Sequence, residues 1–193
     1  MKTAIFSLLA LVCVILVTEV SAGLVKKDTT IQSIVAFSIY NAGMEVMGNI
    51  QGISADIAFK PDDLEHSYIH ATADPATLQT GIGIRDKHLQ RIDYFDVKNH
   101  PHLRIVSKGF RKTGKNTFTG RFDLTMKGIT KEIAIPFKVL EKQYATIYKG
   151  NFEINRLDFN LGEKSAILDE KVKIFIEVHT SQDLNTSKKS YRH

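Results

Sequence analysis

Arg85, Asp86 and His88 stand within four residues and form the most enzyme-like grouping in the chain. A carboxylate can orient an imidazole for general-base work, and a neighbouring guanidinium can hold an anion. Their spacing argues against that chemistry, because Asp86 and His88, two apart, would point to different sides of a helix. The plainer reading has Arg85 and Asp86 pinning a helix and loop to the rim of the fold through hydrogen bonds and an ion pair. Contact with a ligand head group is the other role open to Arg85, Asp86 and His88.

The remaining chemistry-bearing residues are sparser. His100 and His102 flank Pro101, and His66, His70 and His179 lie elsewhere. Imidazoles ligate metals, but no HExxH occurs and no carboxylate falls at a ligand spacing, so the histidines read as solvated and no metal is assigned. Gly81-Ile82-Gly83 lacks the third glycine and helix start of a phosphate loop. No G-x-S-x-G elbow is present. Asn185-Thr186-Ser187 matches a glycosylation sequon, a triplet that also arises by chance. No catalytic residue and no cofactor is assigned, and the chain reads as a non-enzyme.

The elements that would position these residues are mostly strands. Ile34 to Tyr40, Ile53 to Lys60 and Ser67 to Asp74 alternate apolar and polar positions. The alternation returns at Leu103 to Phe110, Thr117 to Met126, Thr130 to Leu140, Tyr144 to Ile154 and Val172 to Val178. Pro136 inside one run points to an edge or bulge. Leu89, Ile92 and Phe95 recur every three residues, which predicts a short helix over Asp86 to Tyr94 with Asp86 as a cap or first-turn acid. Short strands with turns between them predict an antiparallel sandwich or barrel. A closed barrel of about eight strands holds side chains or one small ligand.

The ends and composition bound the setting. Lys2, the apolar run Ala4 to Val17 and Val20-Ser21-Ala22 make a signal peptide cut after Ala22; the run is shorter than the ~20 residues of a membrane span. The organisation expected is a leader over 1–22, a barrel over 23–180 and a polar, disordered tail over 181–193. Export to the periplasm or beyond follows. The only cysteine, Cys13, lies in the leader, so disulfide and thiolate chemistry are excluded from the mature chain. The 193 residues carry a formal net charge of +5, with basic residues interleaved with acids rather than gathered in a stripe. Nucleic acid is therefore not expected as a partner, whereas a mild, transient attraction to anionic membrane surfaces is allowed.

Three segments look familiar. Ile84-Arg85-Asp86-Lys87-His88-Leu89 leads into Tyr94-Phe95-Asp96-Val97 and then His100-Pro101. Leu124-Thr125-Met126-Lys127-Gly128-Ile129-Thr130-Lys131 makes a basic-Gly turn, and Arg156-Leu157-Asp158-Phe159 is followed by Gly162. In this order and register they resemble the YceI-like family over roughly Thr29 to Thr180. Asn41-Ala42-Gly43 departs from a stretch that often carries a histidine. The resemblance implies a mainly β fold: an eight-stranded antiparallel, lipocalin-like barrel with a short helix in the Thr80–His100 segment. It also implies an exported protein with a long apolar cavity for polyisoprenoid or other long-chain amphipathic lipid.

Together, the inward faces and the resemblance nominate Phe37, Ile39, Ile84, Arg85, His88, Leu89, Phe95, Phe110, Phe122, Leu124, Phe137 and Phe159 as ligand-binding. Burying an alkyl chain contributes about 0.8 kcal/mol per CH₂, so such a carrier needs no reactive group. Two alternatives stay open: an enzyme on a lipid- or quinone-like substrate using Arg85, Asp86 and His88, or a solid-core secreted interaction module. The oligomeric state, monomer or homodimer, is left open as well.

Overall fold

The computed structural model describes residues 29–181. The expected leader with Cys13, and all of the expected tail except Ser181, lie outside the described residues. Nine strands make one antiparallel sheet: β1 (Thr29–Asn41), β2 (Met44–Ile50), β3 (Ser54–Ala58), β4 (Tyr68–Ala73), β5 (Leu103–Lys112), β6 (Thr117–Met126), β7 (Ile129–Glu141), β8 (Ala145–Asn155) and β9 (Lys171–Ser181). Their order is β2-β1-β9-β8-β7-β6-β5-β4-β3. The sheet curls into a half-barrel whose two edges, β2 and β3, are consecutive in the chain. The segment after β4 crosses to the β2 edge, where Asn49 and Gln79 exchange backbone bonds of 2.9 and 3.0 Å.

The count is nine where eight strands were expected, and the strand without an alternation signal is β2. Its Met44 and Met47 are both 70% exposed, and Gly48 interrupts the remaining pattern. The hairpin turns explain its placement. Ala42 and Gly43 have φ of 51° and 78°, and Lys127 and Gly128 have 47° and 75°. Two positive-φ residues in a two-residue loop make the turn whose twist matches the strands it joins.

Alternation becomes burial most clearly in β6, where Phe118, Gly120, Phe122, Leu124 and Met126 all face inward and are buried. Pro136 lies in an interior strand, yet the β7–β8 ladder begins only at Phe137↔Gly150, so the proline sits just past the last pair, at a local edge. Beyond that point a 3-10 turn, Arg156–Phe159, follows β8 and contributes buried Phe159 to a core with Leu124, Met126, Ile154 and Leu161.

Among the described residues the single α-helix, α1, is Gly83–Leu89 rather than Asp86 to Tyr94. Asp86 is not its cap: its carboxylate accepts from the backbone N–H of Thr80 at 2.9 Å and from the Thr80 hydroxyl. The helix therefore starts three residues early. It stops at Leu89 because the next residues bond into successive turns, with Phe95 donating back to the Leu89 carbonyl at 3.0 Å. Leu89 and Phe95 still face inward, whereas Ile92 is 67% exposed.

Candidate functional site: an apolar cavity in one half of the barrel

The inside of the half-barrel is not uniform. At one end, Phe59 makes edge-to-face contacts with Phe110 and Phe118 (5.0 Å each), Phe137 (5.4 Å) and Tyr148 (6.1 Å). Ile57, Val139 and Val178 complete that core. Aromatic pairs of this geometry add roughly 0.5–1.5 kcal/mol each beyond their burial. This end is filled.

The other end is hollow. A cavity of about 560 Å³ runs between β1, β2, β4, β5, β6, β8 and β9 and under α1. Most inward positions here are aliphatic or small, Val35 and Ile39 from β1, Ala71 and Ala73 from β4, and Val172, Ile174 and Ile176 from β9, with Phe37, Phe95 and Phe152 as rings among them. Such side chains leave the axis of the half-barrel unfilled. The ionisable residues on the wall are Arg85, His88, Tyr94, Arg104 and Arg156, and no Asp or Glu is among the described residues that line it. They all stand near one end, since Arg85 and His88 are on α1, Arg104 opens β5 and Arg156 follows β8. That end is the mouth.

The enzyme-like grouping is tied up in structure. Arg85 donates from Nε to the Thr80 hydroxyl (2.7 Å) and from Nη2 to the Thr80 carbonyl (2.9 Å). Asp86 takes the two donors of the same threonine, so both charged residues fasten α1 to one loop residue. His88 instead packs its ring against Tyr94, 5.1 Å between centroids. No carboxylate orients the imidazole, and this geometry offers no general base.

Arg156 carries no comparable signal in the sequence beyond its motif. It is 3% exposed and donates to the carbonyls of Asp169 (2.9 Å), Leu161 (2.8 Å), Glu163 (2.8 Å) and Leu168 (3.3 Å). One buried guanidinium thus gathers the 161–169 loop onto the mouth, giving four backbone carbonyls a charged donor. Gly162 seats Tyr94: its φ is +70°, and a Cβ there would meet the tyrosine ring at 2.8 Å. Opposite them, Gly48 leaves room for Phe37, since a Cβ would stand 2.4 Å from the ring and 2.7 Å from the Gln79 carbonyl.

Eight of the twelve nominated residues come together on the cavity wall: Phe37, Ile39, Ile84, Arg85, His88, Leu89, Phe95 and Leu124. Ile84 is 82% exposed and marks the rim. The other four lie in packed regions: Phe110, Phe122 and Phe137 in or beside the filled end, and Phe159 under the 3-10 turn. Phe37 and Phe95 are rings of the wall, whereas these four rings pack against other side chains. The β9 stripe from Val172 to Val178 was legible as a strand face but not as cavity wall.

The groups held away from their ordinary protonation are elsewhere. The Asp63 hydrogen bond raises His66 and lowers Asp63 in turn, and Lys149 with His179 lowers Glu177. The Lys108–Glu132 bond raises the lysine and lowers the glutamate. None of these residues lines the cavity. His100 lies 4.0 Å from Asp96, and no group of three or more metal-ligating side chains occurs among the described residues.

Comparison with known proteins places this geometry. The family model for the YceI-like domain matches residues 26–180. A UPF0312 protein of Pseudomonas savastanoi pv. phaseolicola is 30% identical over 145 residues, covering 70% of this chain and 76% of its own. The crystal structure of Burkholderia cenocepacia BcnA superposes with a TM-score of 0.73 at 23% identity, over 76% of this chain and 95% of that one. A polyisoprenoid binding domain from Saccharophagus degradans superposes with a TM-score of 0.66 at 11% identity, over 81% and 98%. The nine-stranded half-barrel, its short helix at the mouth and the family match across most of the sequence leave one assignment: this chain belongs to the YceI-like family.

Proposed function

We propose that the protein is an exported carrier that holds one long-chain amphipathic lipid, isoprenoid-like, in the hollow end of its barrel. The observation that carries this reading is a 560 Å³ apolar cavity whose cationic and hydroxyl groups gather at one mouth. Such a wall suits an apolar tail inside and a polar head outside. With about 0.8 kcal/mol per buried CH₂, ten methylenes contribute ~8 kcal/mol gross, which lies within the estimated cost of association. A tail longer than that, or a head group held at the mouth, supplies the surplus. The ligand contacts proposed are the eight wall residues, with Arg85 and His88 nearest a head group.

A role in the periplasm or outside the cell rests on the leader ending at Ala22, followed by the carrier domain and a polar tail from residue 181. Among the described residues no helix is long and apolar enough to cross a membrane. A carrier is favoured over an enzyme because Arg85 and Asp86 are engaged by Thr80 and His88 by Tyr94. Native mass spectrometry of the mature protein from its own host, followed by organic extraction, tests the reading. A stoichiometric long-chain species is expected, and it should persist in His88→Gln. An empty protein that takes up neither prenols nor fatty acids would leave the barrel as a scaffold for protein contacts.

A further inference from the structure

The hollow end stops where the aromatic plug begins, and one strand records the transition. Along β9, Val172 faces Ile154 near the mouth, Ile174 faces Phe152, Ile176 faces Gly150, and Val178 faces Tyr148. Ile176 and Val178 line the cavity and also pack against the core of Phe59, Phe118 and Phe137. From Val172 to Val178 is roughly 20 Å of strand. The plug is tight: Phe59 is 9% exposed and Phe118 1%, and Phe59 touches four rings. All five ionisable wall residues are at the opposite end, so a ligand enters tail first and its tail ends against the plug.

Resting on the carrier reading above, we propose that the plug centred on Phe59 is a chain-length gauge that limits the ligand to a single acyl or prenyl chain of about 18 carbons, the extended length that fits the roughly 20 Å from Val172 to Val178. At the floor of the cavity Val178 belongs to one cluster with Phe59 and Tyr148, and Ile176 packs against it. Chain length is therefore set by side-chain volume at the plug. Truncating Phe59 opens a void on the order of 100 Å³, enough for about four further carbons. A ring at position 176 does the reverse.

The test is a series of straight-chain fatty acids from C10 to C24, titrated into the full mature protein by displacement of a fluorescent fatty acid. Wild type should gain about fourfold in affinity per added methylene until close to C18, and then stop gaining. In Phe59→Ala the break should move up by about four carbons, so that C22 binds at least tenfold tighter than to wild type. In Ile176→Phe, which adds volume at the floor, it should move down by about one. Thermal melts identify a variant that has not folded, and Ile176→Phe decides the question if Phe59→Ala fails. A wild-type affinity that keeps rising to C24, or breaks that stay at C18 in folded variants, overturns the gauge while leaving the carrier reading intact. Binding of no chain at any length overturns both.

Discussion

The filled and hollow ends of the barrel are built from the same strands by the same alternation, yet one is a core and the other a container. β6 supplies Phe118 to the first and Leu124 to the second, and β9 supplies Val178 and Val172. The inward period of two is constant along both. What changes is packing: at one end Phe59 meets four other rings across the lumen, and at the other Phe37, Phe95 and Phe152 stand on a wall made mostly of aliphatic chains with Ala71 and Ala73. Where side chains span the lumen, burial stabilises the fold; where they do not, the same surface is left for a ligand. On the carrier reading, stability and ligand binding are thus separated along the barrel axis.

The sharpest way to break that contrast is a pair of truncations. Phe118→Ala, at the filled end, should cost about 4 kcal/mol in urea unfolding, as expected for a ring removed from a closed core. Ile39→Ala, on the cavity wall, should cost at most about 1.5 kcal/mol, because its side chain already faces a void, but should weaken lipid retention. Equal losses would mean that the hollow end is as packed as the other. Next in size is Arg156→Met, which strips four carbonyls of their donor. It should destabilise by about 3 kcal/mol and raise the lipid off-rate, since the 161–169 loop is loosened at the mouth. Unchanged lipid release would detach that loop from the site.

A smaller effect is expected at Gly48. Gly48→Ala drives a methyl into Phe37 and the Gln79 carbonyl and should cost about 1–2 kcal/mol. Its signature is weaker lipid binding, read by displacement titration, because the ring it moves is part of the wall. The smallest effect belongs to the exposed His66–Asp63 pair, 2.8 Å apart. His66 is raised above its ordinary 6.5 by that bond, so its contribution is full below pH 6.5 and fades as pH rises through the raised value. Asp63 is lowered below 3.8, so its contribution holds above 3.8 and is lost as pH falls through the lowered value. His66→Gln should flatten the alkaline side of this slight profile in pH-dependent melts without touching lipid binding.

Much of the fold was readable from alternation, and the reasons for the exceptions are physical. Thr117 to Met126 reproduces β6 residue for residue because one face is buried throughout. β2 escaped because an edge strand bearing exposed methionines and Gly48 need not alternate. The helix limits were misjudged because Asp86 looks like a cap but serves Thr80, a tertiary contact with no local signature. Of the site, the α1 side was legible from spacing and from the family resemblance. The wall of β9 was not, since strand alternation says which residues face inward but not whether the space they face is filled. Arg156 was visible only as part of a motif, because its partners are backbone carbonyls that no residue type announces.

The most direct measurement is a crystal structure of the mature protein with a fatty acid brominated at its terminal carbon, located by anomalous scattering. The bromine of an 18-carbon chain should lie between Ile176 and Val178, short of Phe59, with the carboxylate at the mouth near Arg85. Bromine found among Phe59, Phe118 and Phe137, or on the outer face of the sheet, would contradict the division of the barrel into a filled and a hollow end.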